Sequence, residues 1–189
     1  VRYYDAAGRQ CLFEGGYAGW RSTYDEHGHE IRVVFLGTDD LPRCVNEGYA
    51  EIRRTYVDRG NLKSERYYDG GENLCMCKYG CASVSMEYDS QGREVRKVYQ
   101  GVDGRPCHVK AGYVESRHTY DERGNEICVR YYDADGRSCL HKDGNAGWRA
   151  EYDERGRVTR RVWLGVDGRP CRVKAGYAES RHAYDGRGN

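Results

Sequence analysis

Residues 18–35 have the sequence Ala-Gly-Trp-Arg-Ser-Thr-Tyr-Asp-Glu-His-Gly-His-Glu-Ile-Arg-Val-Val-Phe, and this stretch decides the fold. Residues 18–24 alternate packing side chains with polar ones, which is the period of a β-strand. In the segment that follows, Asp25 can accept hydrogen bonds from the backbone of its own turn, and Gly28 can adopt a positive φ. A second strand begins at Glu30. The stretch therefore predicts a β-hairpin closed by a type I turn with a bulge.

The same turn recurs along the whole chain. Tyr24 and Tyr56 are 32 residues apart, and four more copies follow at that spacing. A unit that recurs in this way predicts a repeat array in which each unit is stabilised by its neighbours. We therefore expect a surface or scaffold function rather than catalysis at one site. The structural repeat residues are Tyr24, Tyr56, Tyr88, Tyr120, Tyr152 and Tyr184, each with a Gly four residues later: Gly28, Gly60, Gly92, Gly124, Gly156 and Gly188.

Two further lines of residues follow the same period. The aromatic line consists of Tyr3, Phe35, Tyr67, Tyr99, Tyr131 and Trp163; the thiol line consists of Cys11, Cys44, Cys75, Cys107, Cys139 and Cys171, of which Cys44 is displaced by one residue. Residues 101–125 and 165–189 differ at only four positions, so a two-unit block has been duplicated. We interpret residues 1–189 as one array of three blocks, 1–64, 65–128 and 129–189, within a longer protein.

The composition excludes a large aliphatic core. Charged residues make up 32% of the 189 residues and the mean hydropathy is −0.96, but the chain also has 18 Tyr. Tyrosine buries a large ring while its hydroxyl stays hydrated, which suits a thin β-structure. The formal net charge is +1 with the two signs interspersed, so no nucleic-acid partner is expected. No apolar run has the length of a membrane span, and no membrane insertion is expected.

The Asp and Gly turn residues that separate the short segments of each unit predict an all-β fold without helices. We count three short strands per unit, with a fourth left open. The six 32-residue units are expected to stack as an open solenoid or superhelical sheet. The alternative is a closed six-bladed propeller with small blades.

The words Tyr-Asp-Glu-Arg-Gly-Asn at 120–125 and Tyr-Asp-Glu-Arg-Gly-Arg at 152–157 resemble the YD repeat of bacterial Rhs-type proteins. The resemblance covers the whole chain. It implies β-hairpins wrapped into a spiral sheet, often the shell of a large secreted or surface toxin, and in some cases carbohydrate binding. The chain departs from that family in its 32-residue unit and in lacking the closing motif of an Rhs core. A weaker resemblance is to the cell-wall-binding hairpin repeats of Gram-positive surface proteins.

The nine cysteines are interpreted mainly as small apolar side chains stacked in a ladder. Their odd number favours unpaired thiols and a reducing compartment, whereas the resemblance favours the bacterial surface or secretion. Cys75, Cys77 and Cys81 form a cluster in which a Cys77–Cys81 disulfide is favoured over a metal site, because zinc needs four ligands. Asp-Gly words such as 133–136 are explained by turns rather than by calcium. No metal or cofactor is expected.

No catalytic constellation is expected, and we predict that the chain is not an enzyme. Ser116 and His118 lie two residues apart on one strand face, as do Ser180 and His182, but no orienting acid is evident. Exposed aromatic side chains are the most plausible functional feature. The predicted function is a non-catalytic bacterial module that binds a glycan or protein ligand or acts as a scaffold; the alternative is a shell or spacer segment of an Rhs-like toxin or surface protein. The candidate ligand-binding residues are Trp20, Trp148, Tyr17, Tyr113, Tyr177, His118 and His182.

Overall fold

The computed structural model describes residues 1–185. In this part of the chain every regular element is a β-strand: two strands for each of the first five 32-residue units and one for the sixth. The strands are β1 (Gly19–Tyr24), β2 (Glu30–Leu36), β3 (Glu51–Tyr56), β4 (Leu62–Tyr68), β5 (Ser83–Tyr88), β6 (Glu94–Gln100), β7 (Glu115–Tyr120), β8 (Glu126–Tyr132), β9 (Gly147–Tyr152), β10 (Val158–Leu164) and β11 (Glu179–Arg181).

The strands form one open antiparallel sheet in which each strand pairs with the next one in sequence. Pairing is long within a hairpin and short between hairpins. β3 and β4 align six residue pairs from Glu51↔Tyr68 to Tyr56↔Leu62, whereas β2 and β3 align three around Val33↔Ile52. The open array is confirmed. The prediction of a closed propeller is wrong. Hydrogen bonds join successive hairpins into one continuous sheet, whereas the blades of a propeller would be separate sheets.

The hairpin turns have the predicted chemistry. The carboxylate of Asp121 accepts hydrogen bonds from the backbone N–H groups of Arg123 at 2.9 Å and Asn125 at 2.8 Å. Gly124 has a φ of 87°, and a bulge lies between Thr119 and Tyr120. Of the repeat glycines named above, Gly188 lies outside the described residues.

The third predicted strand of each unit is wrong. Residues 37–50 connect β2 to β3 as a loop with two turns, and a single bridge, Leu36↔Pro42, is all that remains of the pairing. Arg43 still donates its N–H to the carbonyl of Phe35 at 2.9 Å, but Val45 already bonds across the next turn to Tyr49 at 2.7 Å. The segment between the two turns is too short to extend a ladder.

The connecting loops fold onto one face of the sheet and make the core there. Ile52 and Tyr67 from the strands pack with Cys77, Cys81 and Val109 from two successive loops. Neighbouring strand residues point to opposite sides of the sheet. The core residues therefore alternate with charged residues, which lie on the opposite face. The fold is thus a single sheet with one layer of connecting loops packed on one face. Among the described residues there is no helix long and apolar enough to span a membrane.

Candidate binding surface

The aromatic line of the strands and the tyrosines of the loops form a stack of rings. Tyr17 lies 5.0 Å from Phe35 between ring centroids, and Tyr113 lies 4.5 Å from Tyr131 with the rings 28° apart. Part of the ring surface of Tyr17 and of Tyr113 is therefore covered by these neighbours and is not available to a ligand. Tyr177 packs edge-on against Trp163 at 4.9 Å but remains 46% exposed, so part of its ring is available to a ligand.

The two candidate tryptophans have different surroundings. Trp20 is half-buried and lines a small cleft of 190 Å³ together with Phe35 and Arg54. Trp148 has its ring face covered by the guanidinium of Arg161, 4.4 Å from the ring centroid. A sugar or peptide ligand therefore has an open cleft at Trp20, whereas at Trp148 it would have to displace a cation.

The structure supplies an acid for His118 that the sequence did not reveal. Nδ1 of His118 lies 2.6 Å from Oε1 of Glu126, and Nε2 lies 3.0 Å from Oγ of Ser116. Ser116 is 4% exposed, so its hydroxyl is not accessible to a substrate. The group is best understood as a polar link between β7 and β8. His182 is exposed, and its Nε2 lies 3.2 Å from Oγ of Ser180.

Clefts between successive hairpin turns were not predicted. We call this margin of the sheet the turn edge: the row of hairpin turns, each beginning at a repeat tyrosine, that includes residues 24–29, 56–61, 88–93, 120–125 and 152–157. A cleft of 710 Å³ lies between the first two turns and is lined by Asp25, His29, Arg54, Tyr56 and Asp58, among others. The next turn bounds one of 420 Å³. The constant 32-residue spacing of the repeat tyrosines was the signal, because it places equal turns side by side.

The repeat tyrosines form the floor of the turn edge and tie the hairpins together. His29 stacks on Tyr56 with ring centroids 4.6 Å apart, and the guanidinium of Arg93 lies 4.9 Å from the ring centroid of Tyr120. Burial raises the pKa of Tyr56 and Tyr120 further above neutral pH, and both hydroxyls donate hydrogen bonds to backbone carbonyls. Side chains of one turn thus cover the tyrosine of the next.

The thiol line makes a second connection between units. Sγ of Cys107 lies 3.5 Å from the carbonyl oxygen of Gly80, 27 residues earlier, and the same contact recurs from Cys75, Cys139 and Cys171. Cys44 is exposed and makes no such contact. Arg43 occupies the repeat position instead, and its Nε donates to the carbonyl of Gly16 at 2.9 Å, also 27 residues earlier. All nine cysteines are free thiols.

Comparison with known proteins gives a distant likeness to toxin components. A chain of the Photorhabdus luminescens Tc holotoxin pore with a mutated TccC3 matches at 14% identity and a TM-score of 0.41, over 98% of this chain and 10% of that one. A chain of the crystal structure of TcdB2-TccC3-TEV matches at 14% identity and a TM-score of 0.31, over 98% of this chain and 12% of that one. This chain spans about a tenth of the length of either. No family model and no curated protein matches the sequence.

The candidate residues do not converge on one site. Trp20 and Tyr17 share a cleft, whereas His118 and Trp148 lie in later strands and Tyr177 lies in the last connecting loop. Among residues 1–185 no group of three or more His, Cys, Asp or Glu side chains is placed to hold a metal ion. The arrangement of these residues is a surface in which similar clefts and rings recur along the sheet.

Proposed function

We propose that this chain is a non-catalytic scaffold segment of a larger bacterial protein, a sheet that sets other parts at fixed spacing. One observation supports this most strongly. The side chains that recur in every unit, above all the repeat tyrosines, are used in contacts between hairpins: Tyr56, Tyr88, Tyr120, Tyr152 and Tyr184 each donate a hydroxyl hydrogen bond to a backbone carbonyl 26 residues earlier.

The dimensions suit such a role. Paired strands lie about 4.8 Å apart, so each two-strand unit advances the sheet by roughly 10 Å and eleven strands span roughly 50 Å. Each unit is held by its neighbours, and the sheet is extended by adding units without changing its cross-section. A spacer or shell segment, as the YD-repeat resemblance implies, needs these properties.

Ligand binding is the second candidate, and the 710 Å³ cleft of the turn edge is the observation that favours it. The cleft has the size of a small-molecule site. Its lining combines His29, Tyr56 and Arg54 with two carboxylates, a set that fits the hydroxyl groups of a glycan or the polar backbone of a peptide. Binding would then occur at the first hairpins.

Binding and solution scattering measurements on the full chain separate the two. A scaffold is expected to give the profile of a flat, elongated particle and to bind no member of glycan and peptide arrays. A ligand captured by the wild type, and lost in His29→Ala but retained in the turn variant Arg123→Ala, would replace the scaffold proposal by binding at the first cleft. A compact spherical scattering profile would contradict the scaffold directly.

A further inference from the structure

The second turn of each connecting loop has the same backbone hydrogen bond in all six units, but the side chains that flank it vary between units. The two residues that flank the turn face each other through a backbone hydrogen bond, as between Val109 N–H and the Tyr113 carbonyl at 2.9 Å. The pairs are Phe13 and Tyr17, Val45 and Tyr49, Cys77 and Cys81, Val109 and Tyr113, His141 and Asn145, and Val173 and Tyr177. Only the third unit has a thiol on both sides.

We propose that Cys77 and Cys81 form a redox-active dithiol that low-molecular-weight disulfides convert into an intramolecular disulfide. Their sulfur atoms lie 3.6 Å apart, and the backbone N–H of Cys77 bonds to the carbonyl of Cys81 at 2.8 Å. A disulfide spans Cα atoms about 4.4–6.8 Å apart, and the backbone hydrogen bond holds the two residues opposite each other across the turn. The turn already holds the two residues opposite each other, so closing the bond requires a small movement of the two side chains.

The surroundings make Cys77 the attacking sulfur. A Cys77 thiolate accepts a hydrogen bond from the Cys81 thiol and from the backbone N–H groups of Tyr79, Gly80 and Cys81, and these bonds lower the pKa of Cys77. The same hydrogen bond, together with burial, raises the pKa of Cys81. Cys77 is therefore the thiolate that attacks first, and Cys81 keeps its proton until the negative charge on Cys77 has been removed by formation of the mixed disulfide.

The exchange proceeds in two balanced steps. The Cys77 thiolate attacks one sulfur of a disulfide RSSR; the S–S bond of RSSR breaks, RS⁻ leaves, and a mixed disulfide forms at Cys77. Cys81 then gives its proton to water and attacks Sγ of Cys77, which releases a second RS⁻. Two thiols have been oxidised to one disulfide, and RSSR has accepted two electrons and, with two protons, become two RSH.

Access to the pair requires only the turn to open. Cys77 is 5% and Cys81 2% exposed, but Tyr79 at the tip of the turn is 56% exposed. This turn also holds the array together, because Lys78 N–H bonds to the Glu47 carbonyl at 2.6 Å and Lys110 N–H to the Tyr79 carbonyl at 2.8 Å. A disulfide at 77 and 81 would therefore lock the contact between the second, third and fourth units.

The test equilibrates the full chain in glutathione buffers of graded potential, followed by acid quenching, alkylation and peptide mapping. In the native chain the peptide containing Cys77 and Cys81 is expected to lose the mass of two hydrogens, with an equilibrium constant at least tenfold larger than for the same chain in urea, a shift of ~30 mV. Cys107, whose sulfur faces a carbonyl, is expected to form only mixed disulfides. A pair that oxidises no more readily in the native chain than in urea overturns the proposal.

Two variants check the order of attack. Cys81→Ser is expected to accumulate a glutathione adduct at Cys77, whereas Cys107→Ser, the matched control, is expected to form the Cys77–Cys81 link as the wild type does. If Cys81→Ser carries adduct at the exposed Cys44 but none at Cys77, Cys77 is not the attacking thiol and the proposed reaction is wrong. The native and urea comparison uses the unmodified chain, so it stands if a variant fails to fold.

Discussion

The hydroxyl of Tyr120 donates a 2.8 Å hydrogen bond to the backbone carbonyl of Glu94, across the boundary between two hairpins. Glu94 is the first residue of β6, and Tyr120 is the last residue of β7. The bond therefore ties the turn end of one hairpin to the turn end of the next. The first repeat tyrosine, Tyr24, makes no such bond and is 57% exposed.

Removing this hydroxyl tests whether it stabilises the array. Tyr120→Phe is expected to lower the free energy of unfolding by about 1 kcal/mol, the usual net contribution of one hydrogen bond. Tyr24→Phe is the matched control and should change it by less than about 0.5 kcal/mol, as exposed substitutions do. Urea titration followed by circular dichroism measures both. Equal losses in the two variants would contradict the role of the hydroxyl.

The Gly turns can be tested by adding one methyl group. Gly112 has a φ of 98°, and a Cβ there would lie 2.9 Å from the carbonyl oxygen of Leu140 in the next loop. Gly136 has a φ of 74° but nothing within 4 Å of its Cβ position. Both alanine variants should lose about 1–2 kcal/mol to the backbone conformation, and Gly112→Ala a further ~1–3 kcal/mol to the clash. Thermal unfolding of both variants measures the two losses of stability, and the difference between them is the contribution of the contact between loops. Similar losses in the two variants would show that this contact does not contribute.

Arg43 is predicted to replace a cysteine of the thiol line. Arg43→Ala should cost about 1 kcal/mol because the bond to the Gly16 carbonyl is lost, and Arg43→Cys should recover part of that loss. Cys44→Ser, the control at the neighbouring exposed position, should stay within about 0.5 kcal/mol of the wild type. Urea midpoints give the comparison. A larger loss for Cys44→Ser than for Arg43→Ala would show that Cys44, not Arg43, makes the contact.

Acid should weaken the charged face of the sheet through Glu115. Burial by itself would raise the pKa of this carboxyl, but hydrogen bonds from Arg96 and Arg117 outweigh it and hold the pKa below 4.5. Because the folded-state pKa is lowered, the stabilisation is present above pH 4.5 and is lost as the pH falls through the lowered value.

The matching measurement compares urea unfolding at about pH 6 and about pH 3. Glu115→Gln should lose less stability between the two pH values than the wild type, since the titrating group is gone. Glu122→Gln removes the same charge from an exposed turn and should keep the wild-type difference. A wild-type difference retained in Glu115→Gln would show that this carboxylate does not set the acid response.

Local chemistry was enough to predict the hairpins. Asp121 and Gly124 act within one turn, so their roles follow from the sequence, and the fixed spacing of the turns predicted an open array of equal units. The third strand of residues 37–50 was predicted wrongly because a strand depends on the length of its partner as well as on its own residues. Between two turns there is room for a single bridge.

The candidate sites were less predictable, because each depends on residues from different units. Glu126, which lies 2.6 Å from His118, is eight residues away across a turn, and the 710 Å³ cleft lies between two turns that are far apart in sequence. The ring of Trp148 was predicted to be exposed. No residue adjacent to Trp148 in the sequence indicated that Arg161, in the next strand, would cover the ring.

The 32-residue period is visible directly in the sequence, and the Tyr-Asp-x-x-Gly turn and the alternation of the strands follow from it because they depend on interactions within a few residues. The tertiary structure decided what the recurring side chains contact. The partner of Tyr120 lies 26 residues away, and those of Cys107 and Arg43 lie 27 residues away. These distances are close to one repeat, so the contacts exist only once neighbouring hairpins are laid side by side in register. The same packing placed Cys77 against Cys81 in one turn of six.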